Sequence, residues 1–365
     1  MLVISYGLLQ RETVAEPLSR VHFSTIVLDE AQAIKNLATK RSRAAMHLNG
    51  DFKLITTGTP IENHLGELWS LFRFINPGFL GSFADFNQTF AIPIERDRDR
   101  TVRRRLKKLV QPYILRRTKT QVMEELPPRT DILLHVALSA EEMAFYEALR
   151  KKALESLRDD GGSAGNASLR ILSEIMKLRR ACCNASLVAP DVALPSAKLS
   201  VFADIVQELL VNGHKALVFS QFTGHLEILR EYVASEGIRY QYLDGSTPRK
   251  ERNRRVAAFQ GGEGDLFLIS LKAGGLGLNL TAADYVIHMD PWWNPAVEDQ
   301  ASDRAHRIGQ ERPVTVYRLV ARHTIEEKIV ALHRSKRALA DSLLDGADMS
   351  GKMSADDLLR LIQKS

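Results

Sequence analysis

Short β-branched strand signals alternate with helical stretches in two separate blocks of this chain. In the first block, strand signals lie at residues 2–5, 26–28 and 53–56, and a helical stretch covers 36–48. The second block has five strand signals, at residues 216–219, 240–243, 266–270, 285–288 and 314–319. Because this alternation is typical of parallel sheets covered by helices, the sequence predicts an α/β fold with two parallel sheets.

Helical periodicity fills most of the chain between the two blocks. Leu and Phe recur at helical spacing within residues 65–117, residues 127–136 look extended, and helices are predicted at 140–157 and 169–182. A chain of 365 residues is longer than one ordinary core. We therefore predict four segments: the first α/β block with a basic helical insertion (1–130), a helical insertion and linker (131–197), the second α/β block (198–335) and carboxyl-terminal helices (336–365).

Composition excludes several classes of protein. No apolar run approaches the roughly 20 residues of a membrane span, so no membrane partner is expected. The two cysteines, Cys182 and Cys183, are neighbours in a helical stretch, which excludes a disulfide framework and predicts a reducing compartment. Two adjacent cysteines also give too few ligands at the wrong spacing for a zinc site.

Basic residues are concentrated in one segment, although the net charge of the chain is only +6. Between Glu95 and Lys119 the chain carries Arg96, Arg98, Arg100, Arg103, Arg104, Arg105, Lys107, Lys108, Arg116 and Arg117. Taken alone, this run is explained equally well by a solvated helix face and by a surface that binds a polyanion.

Two adjacent acids follow the strand signal at 26–28. Asp29 and Glu30 would stand at the carboxyl end of a buried strand, where carboxylates can hold magnesium and polarise a water in nucleotide hydrolysis. That chemistry needs a phosphate-binding loop. The nearest pattern, Gly346 to Lys352, is followed by Met353 in place of the magnesium-binding hydroxyl and follows a helical stretch, so we interpret it as a loop.

Three further motifs have chemistry suited to phosphates. The turns "TTGTP" (56–60) and "AGGLGLNL" (273–280) each follow a strand, but each is a weak signal alone. In "PWWNPAVEDQASDRAHRIGQ" (291–310), helical spacing would place Gln300, Arg304 and Arg307 on one face, where the arginines could neutralise a phosphoryl group in transfer. The alternative is a surface helix with ion pairs such as Asp303 with Arg307.

In order, the motifs D-E-A-Q, T-G-T-P, F-S-Q-F, A-G-G-L-G-L-N-L and Q-A-S-D-R-A-H-R-I-G-Q resemble motifs II to VI of superfamily-two helicases. "PYILRRTKTQVMEELPPRT" and "DPWWNP" narrow the resemblance to the Swi/Snf-type DNA translocases, the chromatin-remodelling ATPases and their bacterial relatives. The resemblance implies two RecA-like lobes with helical insertions between them. In that family the Walker A segment lies upstream of "VISYG", so the first lobe is expected to be incomplete here.

The resemblance also implies roles for individual residues. Asp29 would hold magnesium through water, Glu30 would orient the attacking water, and Arg304 and Arg307 would be arginine fingers. Residues expected at the nucleotide cleft are Gln32, Thr57, Thr59, Gly275 and Gln300. Residues expected to face DNA or the moving interface are Ser5, Tyr6, Arg103, Arg104, Arg105, Ser220, Gln221, Gly274, Asn279 and Thr281.

The function implied is an ATP-dependent, magnesium-dependent translocase that acts on double-stranded DNA without sequence preference. These 365 residues alone are expected to lack turnover. The alternative is a non-catalytic remnant that binds DNA or a partner; an RNA helicase is disfavoured by "DPWWNP" and "LRRTK". A protein partner such as RNA polymerase is left open, and the expected location is the bacterial cytoplasm with the nucleoid, or the nucleus of a eukaryote.

Overall fold

The structure, a computed structural model, describes residues 1–58, 64–97, 99–117, 125–158, 164–273, 278–333, 359 and 361–363. These residues fall into two compact units. Residues 1–117 belong to the first unit, and residues 125–333 belong to the second, together with the described residues after 358. The prediction of carboxyl-terminal helices at 336–365 therefore lies mostly outside the described residues.

A parallel pair of strands forms the sheet of the first unit. Strand β1 (His22–Leu28) pairs with β2 (Asn49–Ile55), and Leu28 stands opposite Ile55 at their carboxyl ends. The connection contains a short 3-10 helix, Ala31–Ile34, and the helix Lys40–Met46. Since alternate side chains of β1 are buried near its end, one face of the sheet packs on the first unit's core.

The predicted strand at residues 2–5 is wrong. These residues lead instead into the helix Tyr6–Leu9, which Ser5 caps by accepting a hydrogen bond from the Leu8 amide. A strand needs a neighbouring backbone, and no described strand pairs with this segment. Its side chains are correspondingly open to solvent, with Val3 80% exposed. The other helices of this region are Glu12–Ser19 and the Lys40–Met46 helix, which is shorter than the predicted 36–48.

The helical pattern predicted for residues 65–117 is confirmed. Apolar residues at helical spacing, such as Leu68, Phe72, Leu106 and Val110, pack into one cluster. The helices are Leu65–Ile75, Phe83–Phe86, Ile92–Glu95 and Arg100–Val110, with a π-helical turn at Asn87–Ala91 and a 3-10 turn at Gln111–Tyr113.

A six-stranded parallel sheet forms the centre of the second unit. Its spatial order is β3-β8-β7-β4-β6-β5. The strands are β3 (Arg129–Val136), β4 (Ala216–Ser220), β5 (Tyr240–Leu243), β6 (Leu266–Ser270), β7 (Tyr285–His288) and β8 (Val314–Ala321). All residues of β4 and β6 are buried, and separate apolar clusters cover the two faces. The doubly wound sheet predicted for this block is thereby confirmed.

Helices cover both faces of this sheet. They are Ala140–Arg158, Ala164–Cys183, Ala197–Val211, Thr223–Ser235, Arg249–Gln260, Pro295–Ser302 and a helix that begins at residue 325 and is described through 333. A 3-10 turn at Ala185–Leu187 follows the second of them. The first two helices pack together on the helix that begins at residue 325, so they extend the core of the second unit.

Strand β3 crosses the domain boundary that the sequence placed between residues 130 and 131. It pairs with β8 along its whole length, from Arg129 opposite Val314 to Val136 opposite Ala321. It therefore belongs to the sheet of the second unit. The extended character of this segment could be predicted from its residues, but its partner could not, because pairing depends on a strand far away in sequence.

We expect a fragment of residues 125–333 to unfold in one cooperative transition. A fragment that begins at residue 198 lacks β3 and the Ala140–Arg158 and Ala164–Cys183 helices, so it exposes an edge of β8 and the apolar residues Ile325 and Ile329. Its urea midpoint should therefore be lower and its transition broader. Circular dichroism during urea titration tests this, and identical midpoints for the two fragments would contradict it.

Candidate functional site

Polar side chains gather at the carboxyl ends of β1 and β2. The Thr56 hydroxyl donates to the Asp29 carboxylate over 2.5 Å, and the Glu30 amide donates to the same oxygen over 3.0 Å. Backbone bonds lock the two strand ends together, since Ala31 donates to Thr56 and Thr56 donates to Leu28, each over 2.9 Å. Asp29 is therefore held in place while it stays exposed to solvent.

Glu30 adopts a backbone conformation that is rare for residues with a side chain. Its φ of 49° lies in the left-handed region, which costs free energy and persists only where the surroundings enforce it. The Gln32 amide donates to the Glu30 carboxylate over 2.5 Å, and Thr57 donates to the Gln32 oxygen over 2.9 Å. Gln32 and Thr57 thus position Glu30. Thr59, the third residue of the first lobe that was predicted at the nucleotide cleft, lies outside the described residues.

Tyr6 lies against the same acidic turn. Its hydroxyl donates to the Asp29 backbone carbonyl over 2.8 Å. Burial, reinforced by the charges of Asp29 and Glu30, raises the pKa of Tyr6 to about 12, so the phenol keeps its proton. Ser5 caps the Tyr6–Leu9 helix and is exposed. The predicted contact of Ser5 and Tyr6 with DNA stays a prediction.

A second polar cluster stands at the carboxyl end of β4, where the strand order of the large sheet reverses. The Asp290 carboxylate accepts from the Ser220 hydroxyl over 2.5 Å and from the Gln221 amide group over 2.6 Å. All three side chains are buried. The side chains of Ser220 and Gln221 bind Asp290 and fix the ends of β4 and β7 to each other. Their predicted position facing DNA or the moving interface stays a prediction.

The two candidate arginine fingers do not share a helix face. The helix ends at Ser302, and the following turn is fixed by the Leu280 amide, which donates to the Arg304 carbonyl over 3.0 Å. The Arg304 side chain is buried beside the Leu278 carbonyl, whereas Arg307 is exposed. The prediction of one helical face for both is therefore wrong, because tertiary hydrogen bonds end the helix early.

Gln310, which was not among the predicted site residues, organises this turn. Its side-chain amide donates to the carbonyls of Thr281, Ala283 and Ala305 over 3.1, 2.8 and 3.0 Å. It therefore ties the arginine-bearing turn to the segment after the glycine-rich motif. The position of Gln310 at the end of the "RIGQ" motif could have marked it as a site residue, but only the fold shows which carbonyls its side chain contacts.

The remaining predicted site residues are placed as follows. Asn279 is exposed, Thr281 is half-buried and accepts from Gln260, and Gln300 is half-buried on the Pro295–Ser302 helix. The predicted contacts of Gly274 and Gly275 lie outside the described residues.

The basic helix Arg100–Val110 has one buried and one charged face. Leu106 and Val110 are buried, while Arg104 and Arg105 are exposed and Arg103 is half-buried. The Arg105 guanidinium lies 5.8 Å from the centre of the Phe90 ring. This arrangement suits a solvated helix face and a polyanion-binding surface equally, and the predicted contact of Arg103, Arg104 and Arg105 with DNA stays a prediction.

Comparison with protein families decides what kind of chain this is. The SNF2-related domain matches residues 1–187, which is more than half of the chain, and the helicase conserved C-terminal domain matches residues 197–309. The chain belongs to the SNF2-related family. The two α/β units are therefore the RecA-like lobes of an SNF2-type ATPase, as predicted.

Relatives of this SNF2-related chain come from bacteria, archaea and eukaryotes. It is 39% identical, over its whole length, to YwqA of Bacillus subtilis, whose name describes an ATP-dependent helicase/translocase, and it spans 40% of that protein. It is 34% identical to human SWI/SNF-related matrix-associated actin-dependent regulator of chromatin subfamily A member 1, of which it spans 36%.

A solved structure of the Sulfolobus solfataricus SWI2/SNF2 ATPase core in complex with double-stranded DNA matches 99% of this chain and 76% of that one. The identity is 34% and the TM-score 0.53.

Oxygen donors gather at one exposed strand end of the first lobe. Asp29, Glu30 and Thr56 offer two carboxylates and a hydroxyl at one exposed strand end, and magnesium prefers such hard oxygen ligands. In the SNF2-related chain these residues therefore fit a magnesium ion that arrives with a nucleotide.

Among the described residues, no helix is long and apolar enough to cross a membrane.

Proposed function

We propose that this chain is part of an ATP-dependent translocase that moves along double-stranded DNA. The observation that carries the proposal is the Asp29–Glu30 pair, exposed at the end of β1 and held by Thr56 and Gln32. Family membership supports ATP use. The similar Sulfolobus solfataricus ATPase core was solved in complex with double-stranded DNA, which supports duplex DNA as the partner.

Each residue of the acidic turn has a distinct part in this proposal. When bound, magnesium-ATP would supply the phosphoryl group, and its magnesium ion would neutralise part of the phosphate charge. Asp29 would hold the magnesium ion, and the Thr56 hydroxyl fixes the orientation of the Asp29 carboxylate. Glu30 would orient the attacking water, and Gln32 donates to the Glu30 carboxylate and restricts its rotation. The exposed guanidinium of Arg307 supplies the charge that stabilises transfer.

We further propose that these 365 residues alone do not turn over ATP. The backbone amides and the lysine of a Walker A loop make most of the contacts to the β- and γ-phosphates. The only comparable pattern in this sequence, Gly346 to Lys352, is followed by Met353 and not by the Ser or Thr that binds magnesium. Two exposed carboxylates alone bind magnesium weakly, because the ion keeps its water shell until phosphate completes it.

The experiment measures phosphate release with duplex DNA, with and without an added amino-terminal segment that carries a phosphate-binding loop. We expect turnover only with that segment, and we expect Glu30→Gln to abolish it. Glu16→Gln removes an exposed carboxylate elsewhere in the first lobe and should leave it unchanged. DNA-stimulated turnover by the 365 residues alone, sensitive to Glu30→Gln, would overturn the no-turnover proposal. A lack of turnover even with the segment would favour the non-catalytic binding piece.

Duplex binding is expected to be weak and independent of sequence, because contacts to phosphates carry no base information. Replacing Arg103, Arg104 and Arg105 by Ala should lower the slope of log affinity against log salt by about two to three units, about one per lost phosphate contact. Fluorescence anisotropy with a labelled duplex at several salt concentrations measures this slope.

The control removes the same charge elsewhere. In the second lobe, Arg239 and Arg254 are exposed and Arg230 is half-buried, and each pairs with a nearby carboxylate. Their replacement by Ala should leave the salt slope unchanged. If both triple variants give the wild-type slope, the 96–119 run is only a solvated helix face. An equal affinity for RNA would instead argue against a duplex DNA motor.

A further inference from the structure

Three buried side chains with metal-binding atoms meet inside the second lobe. The sulfur of Cys183, a ring nitrogen of His225 and a carboxylate oxygen of Asp290 all lie within 4.8 Å of one another. They come from the end of the Ala164–Cys183 helix, from the Thr223–Ser235 helix and from the segment after β7. This cluster is separate from the acidic turn of the first lobe.

His225 lacks the hydrogen bonds that a buried imidazole normally makes. Its side chain is 0% exposed, and neither ring nitrogen has a hydrogen-bond partner among the residues that the structure describes. Buried polar atoms without partners are uncommon and usually mark an ordered water or an ion. Burial, together with the charge of Lys198, lowers the pKa of His225 to about 3. The ring is therefore neutral, which is the form that donates a lone pair to a metal.

We propose that Cys183, His225 and Asp290 bind one zinc ion. Zinc accepts all three ligand types, namely sulfur, imidazole nitrogen and carboxylate oxygen. Soft metals such as Cu(I) prefer sulfur, and hard metals such as magnesium and calcium prefer oxygen, so this mixed set suits zinc better than either class. Zinc bond lengths imply ligand atoms about 3.5 Å apart in a tetrahedral shell, so small side-chain rotations would bring the cluster to that size.

The charges and protons at such a centre are set by the buried groups around it. Burial raises the pKa of Cys183, so without metal it is a neutral thiol. Binding releases its proton to solvent, and the resulting thiolate with the Asp290 carboxylate offsets the two charges of zinc. The neighbouring Lys198 already pairs with Glu326 over 2.7 Å. The buried Arg179 guanidinium also acts on Asp290 and Cys183, so the metal-loaded centre carries one net positive charge.

The fourth position of the shell would be taken by water. The side-chain oxygen of Gln221 is buried and has no partner in the described part of the chain, while its amide nitrogen already donates to Asp290. A metal-bound water could donate to that oxygen. Through its three protein ligands the ion would cross-link the Ala164–Cys183 helix to the Thr223–Ser235 helix and to the segment after β7, which suits a structural role.

The competing explanation is a metal-free hydrogen-bonded network. Asp290 already accepts from Ser220 and Gln221, so its charge has partners without zinc. That explanation leaves His225 unsatisfied, but it predicts that the purified chain holds no stoichiometric metal.

The test is metal analysis of the full chain expressed with added zinc and then passed through EDTA-washed buffer. We expect about one zinc per chain, and replacement with cobalt should give the near-ultraviolet thiolate-to-metal band of a cobalt–cysteine bond. Cys183→Ala and His225→Leu should each lower the zinc content at least about tenfold. Zinc below about 0.1 per chain in the wild type, with no cobalt band, would overturn the proposal.

Cys182→Ala provides the matched control. Cys182 is the adjacent and equally buried thiol, but it lies outside the cluster. It should keep both the zinc and the cobalt band. Since a misfolded variant could lose metal indirectly, circular dichroism must show that each variant is folded. Leucine is chosen to replace His225 because an apolar side chain of similar size can be buried without unpaired polar atoms, so the variant should stay folded. Equal zinc content in folded Cys183→Ala and wild type would show that the metal binds elsewhere and would overturn the assignment.

Discussion

Arg307→Ala should lower DNA-stimulated ATP turnover by about a thousandfold or more while leaving ATP binding intact. An arginine finger acts on charge that develops during phosphoryl transfer, so its loss slows chemistry far more than it weakens binding. The exposed position of Arg307 leaves its guanidinium accessible for this role. Arg307→Lys should rescue little, because an ammonium group cannot reproduce the planar fork. The assay needs the protein supplied with a phosphate-binding loop.

Variants of two other arginines, Arg304 and Arg312, distinguish a catalytic effect of Arg307 from a loss of stability. Arg304 is buried beside the Leu278 carbonyl, so Arg304→Ala should lower the free energy of unfolding as well as turnover. Arg312 is exposed and pairs with Asp284 over 3.3 Å, so Arg312→Ala should affect neither strongly. Near-normal turnover in Arg307→Ala would assign that residue to the solvated surface.

Strands with continuous apolar runs were predicted well because burial on both faces leaves a clear pattern. Leu217, Val218 and Phe219 of β4 are all buried, and the sequence alone located this strand. The run at residues 2–5 has the same apolar, β-branched character but forms no strand. The difference is the presence of a hydrogen-bonding neighbour, which local composition does not reveal.

Local periodicity also failed where distant groups compete for the backbone. Helical spacing placed Arg304 and Arg307 together, but the Leu280 amide and the Gln310 side chain fix a turn after Ser302. Residues of the acidic turn were found because Asp29 and Glu30 are adjacent in sequence. Cys183, His225 and Asp290 were not found, because three distant residues form a cluster only after the sheet has assembled.

A buried ion pair joins the Ala197–Val211 helix of the second lobe to the helix that begins at residue 325. The Lys198 ammonium donates to the Met289 carbonyl over 2.7 Å and lies 2.7 Å from Glu326, and both side chains are 0% exposed. Glu326 also accepts from the Ala321 amide over 2.9 Å. Burial acts to lower the pKa of Lys198, but the Glu326 charge outweighs it and raises that pKa. Burial also raises the pKa of Glu326, against the opposing effect of the Lys198 charge. The ammonium lies within hydrogen-bond distance of both the carboxylate and the Met289 carbonyl, and this geometry favours the ionised pair.

Lys198→Met should lower the free energy of unfolding by about 3–5 kcal/mol, because it leaves the Glu326 carboxylate buried without a counterion. The double variant with Glu326→Gln removes that charge and keeps an acceptor for Ala321, so it should be more stable than Lys198→Met alone. Lys177→Met breaks an exposed pair with Glu174 and should cost about 0.5 kcal/mol or less. Urea unfolding of the four proteins measures these differences. A Lys198→Met variant within about 1 kcal/mol of wild type would mean that the carboxylate takes up a proton or reaches solvent, since a charged, dry Glu326 could not be left unpaired so cheaply.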